Sequence, residues 1–152
     1  MPKYTALTTD QLQSLEKEFV DFLVLNGITS EDWVKMKATD AESATDMTEL
    51  FSDVVWEGIL RKAKYLCHSS AGSIKCFQCL PDQMVLVGMD SSTVDLLTEL
   101  HQVTNGPRAS EVEVYTTTKA YSTTREQELF TMIKQGCEIS DGELFKALCL
   151  LL

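Results

Sequence analysis

Lys64–Met89, KYLCHSSAGSIKCFQCLPDQMVLVGM, decides the fold, because the hydrophobic spacing changes there from about 3.6 residues to two. Lys64–Ser69, Ser73–Leu80 and Met84–Met89 are rich in Tyr, Phe, Val and Ile and read as three short strands. Ser-Ala-Gly near 70–72 and Pro81-Asp82-Gln83 supply the turns between them. An antiparallel meander is the simplest arrangement of such strands.

On the N-terminal side of this stretch the pattern is helical. Thr8 with Gln11 opens a first helix over about residues 9–26, carrying Leu12, Leu15, Phe19, Phe22 and Leu23. Ser30 is the expected cap of a short second helix through Trp33 and Met36. From Asp40 to about Lys62 a long helix sets Met47, Leu50, Phe51, Val54, Val55 and Ile59 on the expected buried side. On the C-terminal side, residues 93–102 read as a helix ending before Asn105-Gly106-Pro107, and Glu111–Tyr121 as a fourth strand. Ser122–Thr124 with Glu126 and Gln127 opens another helix ending at Gly136, and Ser140-Asp141-Gly142-Glu143 repeats the capping box before a last one. The expectation is one α+β domain over residues 1–152, with N-terminal helices packed on a mainly antiparallel sheet of about four strands and with C-terminal helices.

Composition narrows the function classes. With 152 residues and 44% hydrophobic content, the chain is long and apolar enough for a core without a metal or a disulfide framework. It lacks the basic and apolar regions of a secretory signal, and its longest apolar runs are far short of a membrane span. A cytoplasmic location follows as the expectation, and five irregularly spaced cysteines read as reduced thiols. Residues 1–60 hold twelve Asp/Glu against four Lys/Arg, so they carry −8 of the formal net charge of −10. That half repels phosphate backbones, which argues against nucleic-acid binding, and it attracts a basic protein partner.

Cys67, His68, Cys76 and Cys79 are residue types that bind zinc, within 13 positions. Their spacing is poor for it, because residues three apart in a strand, or adjacent in one, point to opposite faces. Buried strand cysteine is the plainer reading. His101, near a helix end, pairs with nothing recognisable. The glycines fit no phosphate-binding or nucleophile-elbow motif. No catalytic residue and no cofactor are indicated.

The long helix gives a sharper signal. Glu42, Asp46, Glu49, Asp53 and Glu57 fall within about 80° of one another on the helical wheel, with Trp56 beside them. A solvated face is the bland account of such a stripe. A docking face for a basic partner, anchored on Trp56, is the functional one.

Three segments carry a resemblance: Phe51–Leu60, Lys64-Tyr65-Leu66 and Gln135–Leu144. With the helical N-terminus they resemble a family of short uncharacterised bacterial proteins of about this length. The resemblance implies a bacterial cytosolic protein and brings no activity, cofactor or catalytic residue; Cys76 and Cys79 are not part of it. The leading expectation is a non-enzymatic interaction module that uses Glu42, Asp46, Glu49, Asp53, Trp56 and Glu57 to meet a protein partner, basic or a second copy of the chain. The alternatives are a small enzyme or ligand binder on the sheet face around Tyr65, Cys67, Phe77 and Tyr115, and a mimic of nucleic-acid charge.

Overall fold

The structure, a computed structural model, describes residues 2–105 and 112–152, without the side chains of 101–105. The expected helix end at Gly106-Pro107 and the His101 side chain lie outside the described residues. The chain divides into two compact units, Met1–Ile59 and Leu60–Leu152.

The first unit is helical: α1 (Thr9–Ser14), α2 (Glu16–Leu25), α3 (Ser30–Thr39) and most of α4 (Ala41–Lys62). The single helix expected over 9–26 is broken at Leu15, whose φ of −110° and ψ of 25° leave the helical region. Thr8 and Gln11 make the expected capping box. At α3 the cap is Thr29, not Ser30, because Thr29 and Asp32 each bond the other's backbone N–H. An aromatic cluster joins the helices: the Phe51 ring lies 4.9 Å from Phe19 and 5.3 Å from Phe22, and Phe19 lies 5.2 Å from Trp33.

The expected inner face of α4 is corrected in part. Phe51 is buried, but Leu50, Val54 and Ile59 are exposed. The helix is rotated so that Ala44 and Ser52 are also covered, and Ser52 is fully buried because it serves the N-terminal segment.

The second unit is built on a five-stranded sheet in the order β4-β3-β2-β1-β5, from β1 (Tyr65–Ser69), β2 (Ser73–Cys79), β3 (Gln83–Asp90), β4 (Glu113–Ala120) and β5 (Glu138–Ser140). Every neighbouring pair is antiparallel. The α+β class stands, with one strand more than the sequence suggests: β5 is three residues long, too short to show a period of two. The two tight connections are at Ala71-Gly72, closed by Ser70 N–H on the Ser73 carbonyl, and at Pro81-Asp82, closed by Leu80 N–H on the Gln83 carbonyl.

Among the described residues three helices complete this unit: α5 (Leu96–Asn105), α6 (Arg125–Lys134) and α7 (Glu143–Cys149). Ile74, Cys76, Val87 and Met89 point to one face of the sheet and pack with Val94, Leu96, Phe145 and Leu148. Residues Leu66, Phe77, Cys79 and Met84 point to the other, as the register requires, and are buried with Leu60, Leu129, Phe130 and Met132. The capping box expected before α7 does not form. Gly142 is the N-cap at φ 92°, while Asp141 and Ser140 side chains accept from Glu143 and Gly142 N–H. Only glycine fits at 142, since an added Cβ would lie 2.5 Å from the Tyr65 ring. No helix among the described residues is long and apolar enough to cross a membrane.

Candidate functional site

The acidic stripe on α4 divides into two parts. Glu42 and Asp46 are exposed and Glu49 is half-buried. Asp53 and Glu57, further along, hold the chain's own N-terminal segment. Asp53 accepts from the backbone N–H of Lys3 at 2.7 Å and of Tyr4 at 3.0 Å. Glu57 accepts from the Tyr4 hydroxyl, with the Lys3 ammonium 3.6 Å away. One turn earlier Ser52 accepts from Leu7 N–H at 3.0 Å and donates to the Thr48 carbonyl. Residues 3–7 therefore run antiparallel to the helix, and the amides of Lys3, Tyr4 and Leu7 are bonded by its side chains. Two of the five stripe carboxylates are thus internal structure, and Trp56 beside them is half-buried.

Trp33 of α3, absent from the residues picked from the sequence, is the better placed tryptophan. It lines two grooves of the first unit. One, of about 430 Å³, is walled by Ala6, Lys37, Ala41, Ala44, Thr48 and Glu49. The other, of about 240 Å³, lies between α2 and α3 against Phe19, Val20, Leu23, Val24 and Val34. Val24 and Val34 are each 63% exposed and Val20 is exposed beside them, whereas Leu23 of α2 is buried and Phe19, Phe22 and Trp33 are half-buried. The signal in the sequence was the pair of valines lying off the apolar arc of their helices.

The four zinc-type residues do not converge. Cys67 and Cys76 are directly opposite on β1 and β2 and share a face, with Sγ atoms 2.9 Å apart. His68 and Cys79 belong to the opposite face. Among the described residues no group of three or more His, Cys, Asp or Glu is placed to hold a metal ion.

The Cys76 hydrogen bond, with a smaller contribution from Ser140, outweighs desolvation and holds the Cys67 thiol down to about 7. The Cys76 thiol moves the other way, raised by its bond to Cys67 and by burial. Burial pushes the Cys79 thiol up to about 11. The sheet-face site expected around Tyr65, Cys67, Phe77 and Tyr115 is also divided, because Tyr65 and Cys67 point to one face and Phe77 and Tyr115 to the other.

The second unit has a cleft of about 490 Å³ with Arg61, Lys64, Gln78, Pro81 and Arg125 on its walls. Its cationic look is deceptive. The Arg125 guanidinium is spent on the Leu60, Ala63 and Cys79 carbonyls and on Glu126, so it closes the end of α4 instead of facing a ligand. Nearby, burial raises the Glu128 carboxyl, but bonds from Ser122 and Lys119 and the Lys119 charge outweigh that and hold it below the usual range.

A family model described as "Family of unknown function (DUF6495)" matches residues 1–152. No curated protein and no solved structure matches the chain.

Proposed function

The chain belongs to DUF6495, a family of unknown function, and from that premise, which brings no activity with it, we propose that its helical first unit is a protein-interaction module. Its partner is a segment of another protein that is basic and partly apolar. The observation that carries this reading is Trp33, shared by two open grooves, with Val20, Val24 and Val34 exposed along one of them. Apolar side chains around an aromatic, rimmed by polar groups, are the make-up of an interface anchor.

The sign of the partner comes from charge. The net −8 of residues 1–60 is borne by this unit, and Glu42 and Asp46 stay exposed where Asp53 and Glu57 are engaged. In this reading the protein is a cytoplasmic bacterial one, a setting that suits five free cysteines.

The test is titration of the full chain with an amphipathic peptide rich in leucine and lysine, with its glutamate counterpart as control. The expected result at low salt is a preference for the lysine peptide of about tenfold or more, shrinking as salt is added. Val24→Glu with Val34→Glu should abolish it, and Glu42→Lys with Asp46→Lys should weaken it. Equal binding of both peptides, or full binding by the valine double variant, refutes the proposal.

A further inference from the structure

We propose that Cys67 and Cys76 are a two-electron thiol couple that a small hydroperoxide oxidises to a cross-strand disulfide. The geometry is that of a pair, not of a lone thiol. The two residues are register partners in the β1–β2 hairpin, so their side chains leave the same face of the sheet side by side. Directly opposed antiparallel residues have Cα atoms about 4.5–5.5 Å apart, inside the window of about 4.4–6.8 Å that a disulfide tolerates. Their sulfurs are already 2.9 Å apart. Bond formation needs side-chain rotation only, with the strands left in register.

The two thiols differ in the way such a couple requires. Cys67 is half-buried and Cys76 has no exposed surface. A small oxidant can reach the first, and the second needs to reach only its neighbour. The bond from Cys76 that lowers the Cys67 thiol also makes Cys67 the nucleophile, because it favours the thiolate there relative to an ordinary thiol. Glu138 and Asp141 oppose this by their charge, without reversing it.

In the first step the Cys67 thiolate attacks one peroxide oxygen and the O–O bond breaks. The alkoxide, or hydroxide from hydrogen peroxide, leaves and takes up a proton, and Cys67 becomes a sulfenic acid. The Cys76 sulfur then attacks Cys67 Sγ, the S–O bond breaks, and hydroxide leaves with the Cys76 proton as water. Two thiols and one hydroperoxide give one disulfide, one alcohol and one water. A dithiol reductant reverses the change by exchange.

The same face holds a third thiol, Cys149 of α7, packed against the cluster that contains Cys76. It is off the strands and is not a register partner of either, so it serves as the internal control.

The experiment treats the reduced wild-type chain with equimolar hydrogen peroxide, blocks remaining thiols under denaturing conditions and maps linkages by mass spectrometry. Trypsin cleaves after Lys64 and Lys75, which separates Cys67 from the peptide that begins at Cys76 and also holds Cys79, and fragmentation then distinguishes those two. The expected product is a Cys67–Cys76 link, with the free thiols falling from five to three and returning on addition of dithiothreitol. Cys149→Ser should give the same link. Cys67→Ser should consume peroxide at least about tenfold more slowly. Cys76→Ser should leave a sulfenic acid on Cys67 that dimedone traps. Retention of all five thiols, a link from Cys67 to any cysteine other than Cys76, or over-oxidised Cys67 in the wild type would each overturn the proposal, and these readouts need no variant to fold.

Discussion

The two units of this chain bury their side chains very differently. Among the described residues, the second unit has apolar side chains with no exposed surface on both faces of its sheet, including Leu66, Met84, Met89, Leu129 and Leu148. In the first unit the most buried side chain is a serine, Ser52, and its best-covered large apolar groups, Leu23 and Phe51, each keep about 3% of their surface. It also carries most of the negative charge. A sheet covered on both faces places its stability in its own core. A small set of helices with open grooves leaves apolar surface over, and that surplus is what a partner can use.

The largest expected effect tests the core itself. Leu66→Ala removes a fully buried side chain from β1 and should cost about 2–5 kcal/mol in a denaturant titration, whereas Val34→Ala on α3 should change stability by less than about 0.5 kcal/mol. Comparable losses would erase the distinction between the units.

Alkaline pH should act next, and on the second unit. The Cys79 thiol, raised to about 11 by burial, keeps its proton in the folded chain after the unfolded chain has released it. The folded state then binds more protons, so its stability is intact below about pH 8.5 and declines as pH rises through about 11. The decline should be about 3 kcal/mol, and Cys79→Ala should flatten it. Cys76, raised in the same sense, leaves a residual slope.

Within the first unit the acidic stripe offers a finer contrast. Asp53→Ala leaves the Lys3 and Tyr4 amides without their acceptor and should destabilise the chain by about 1–2 kcal/mol. Glu42→Ala and Asp46→Ala should be neutral within about 0.5 kcal/mol, since both are exposed. Thermal melts of the three variants separate a stripe that is partly structural from one that is uniformly a surface.

Much of the fold was legible because it rests on local regularities. The period-two run at residues 64–89 gave three strands, and the capping residues at Thr8 and Thr124 marked helix starts. What misled were features with a non-local cause. The wheel of α4 showed an apolar arc, but which part of it is covered depends on where residues 3–7 and the α2 aromatics pack. Trp33, which lines two grooves, carried no mark in the sequence comparable to the carboxylates beside Trp56. The Cys67–Cys76 pairing was within reach: a two-residue loop at Ala71-Gly72 makes every partnered pair symmetric about that loop, and 67 and 76 are such a pair.

The sequence by itself determined the α+β class, the charge asymmetry and the poor spacing of the zinc-type residues, since composition and side-chain periodicity are properties of the chain alone. Only the tertiary structure decided which carboxylates of the stripe are engaged, which valines stay exposed and which thiols touch. Those outcomes depend on contacts between segments distant along the chain, such as Tyr4 with Asp53, and no local pattern encodes the partner a buried amide will find.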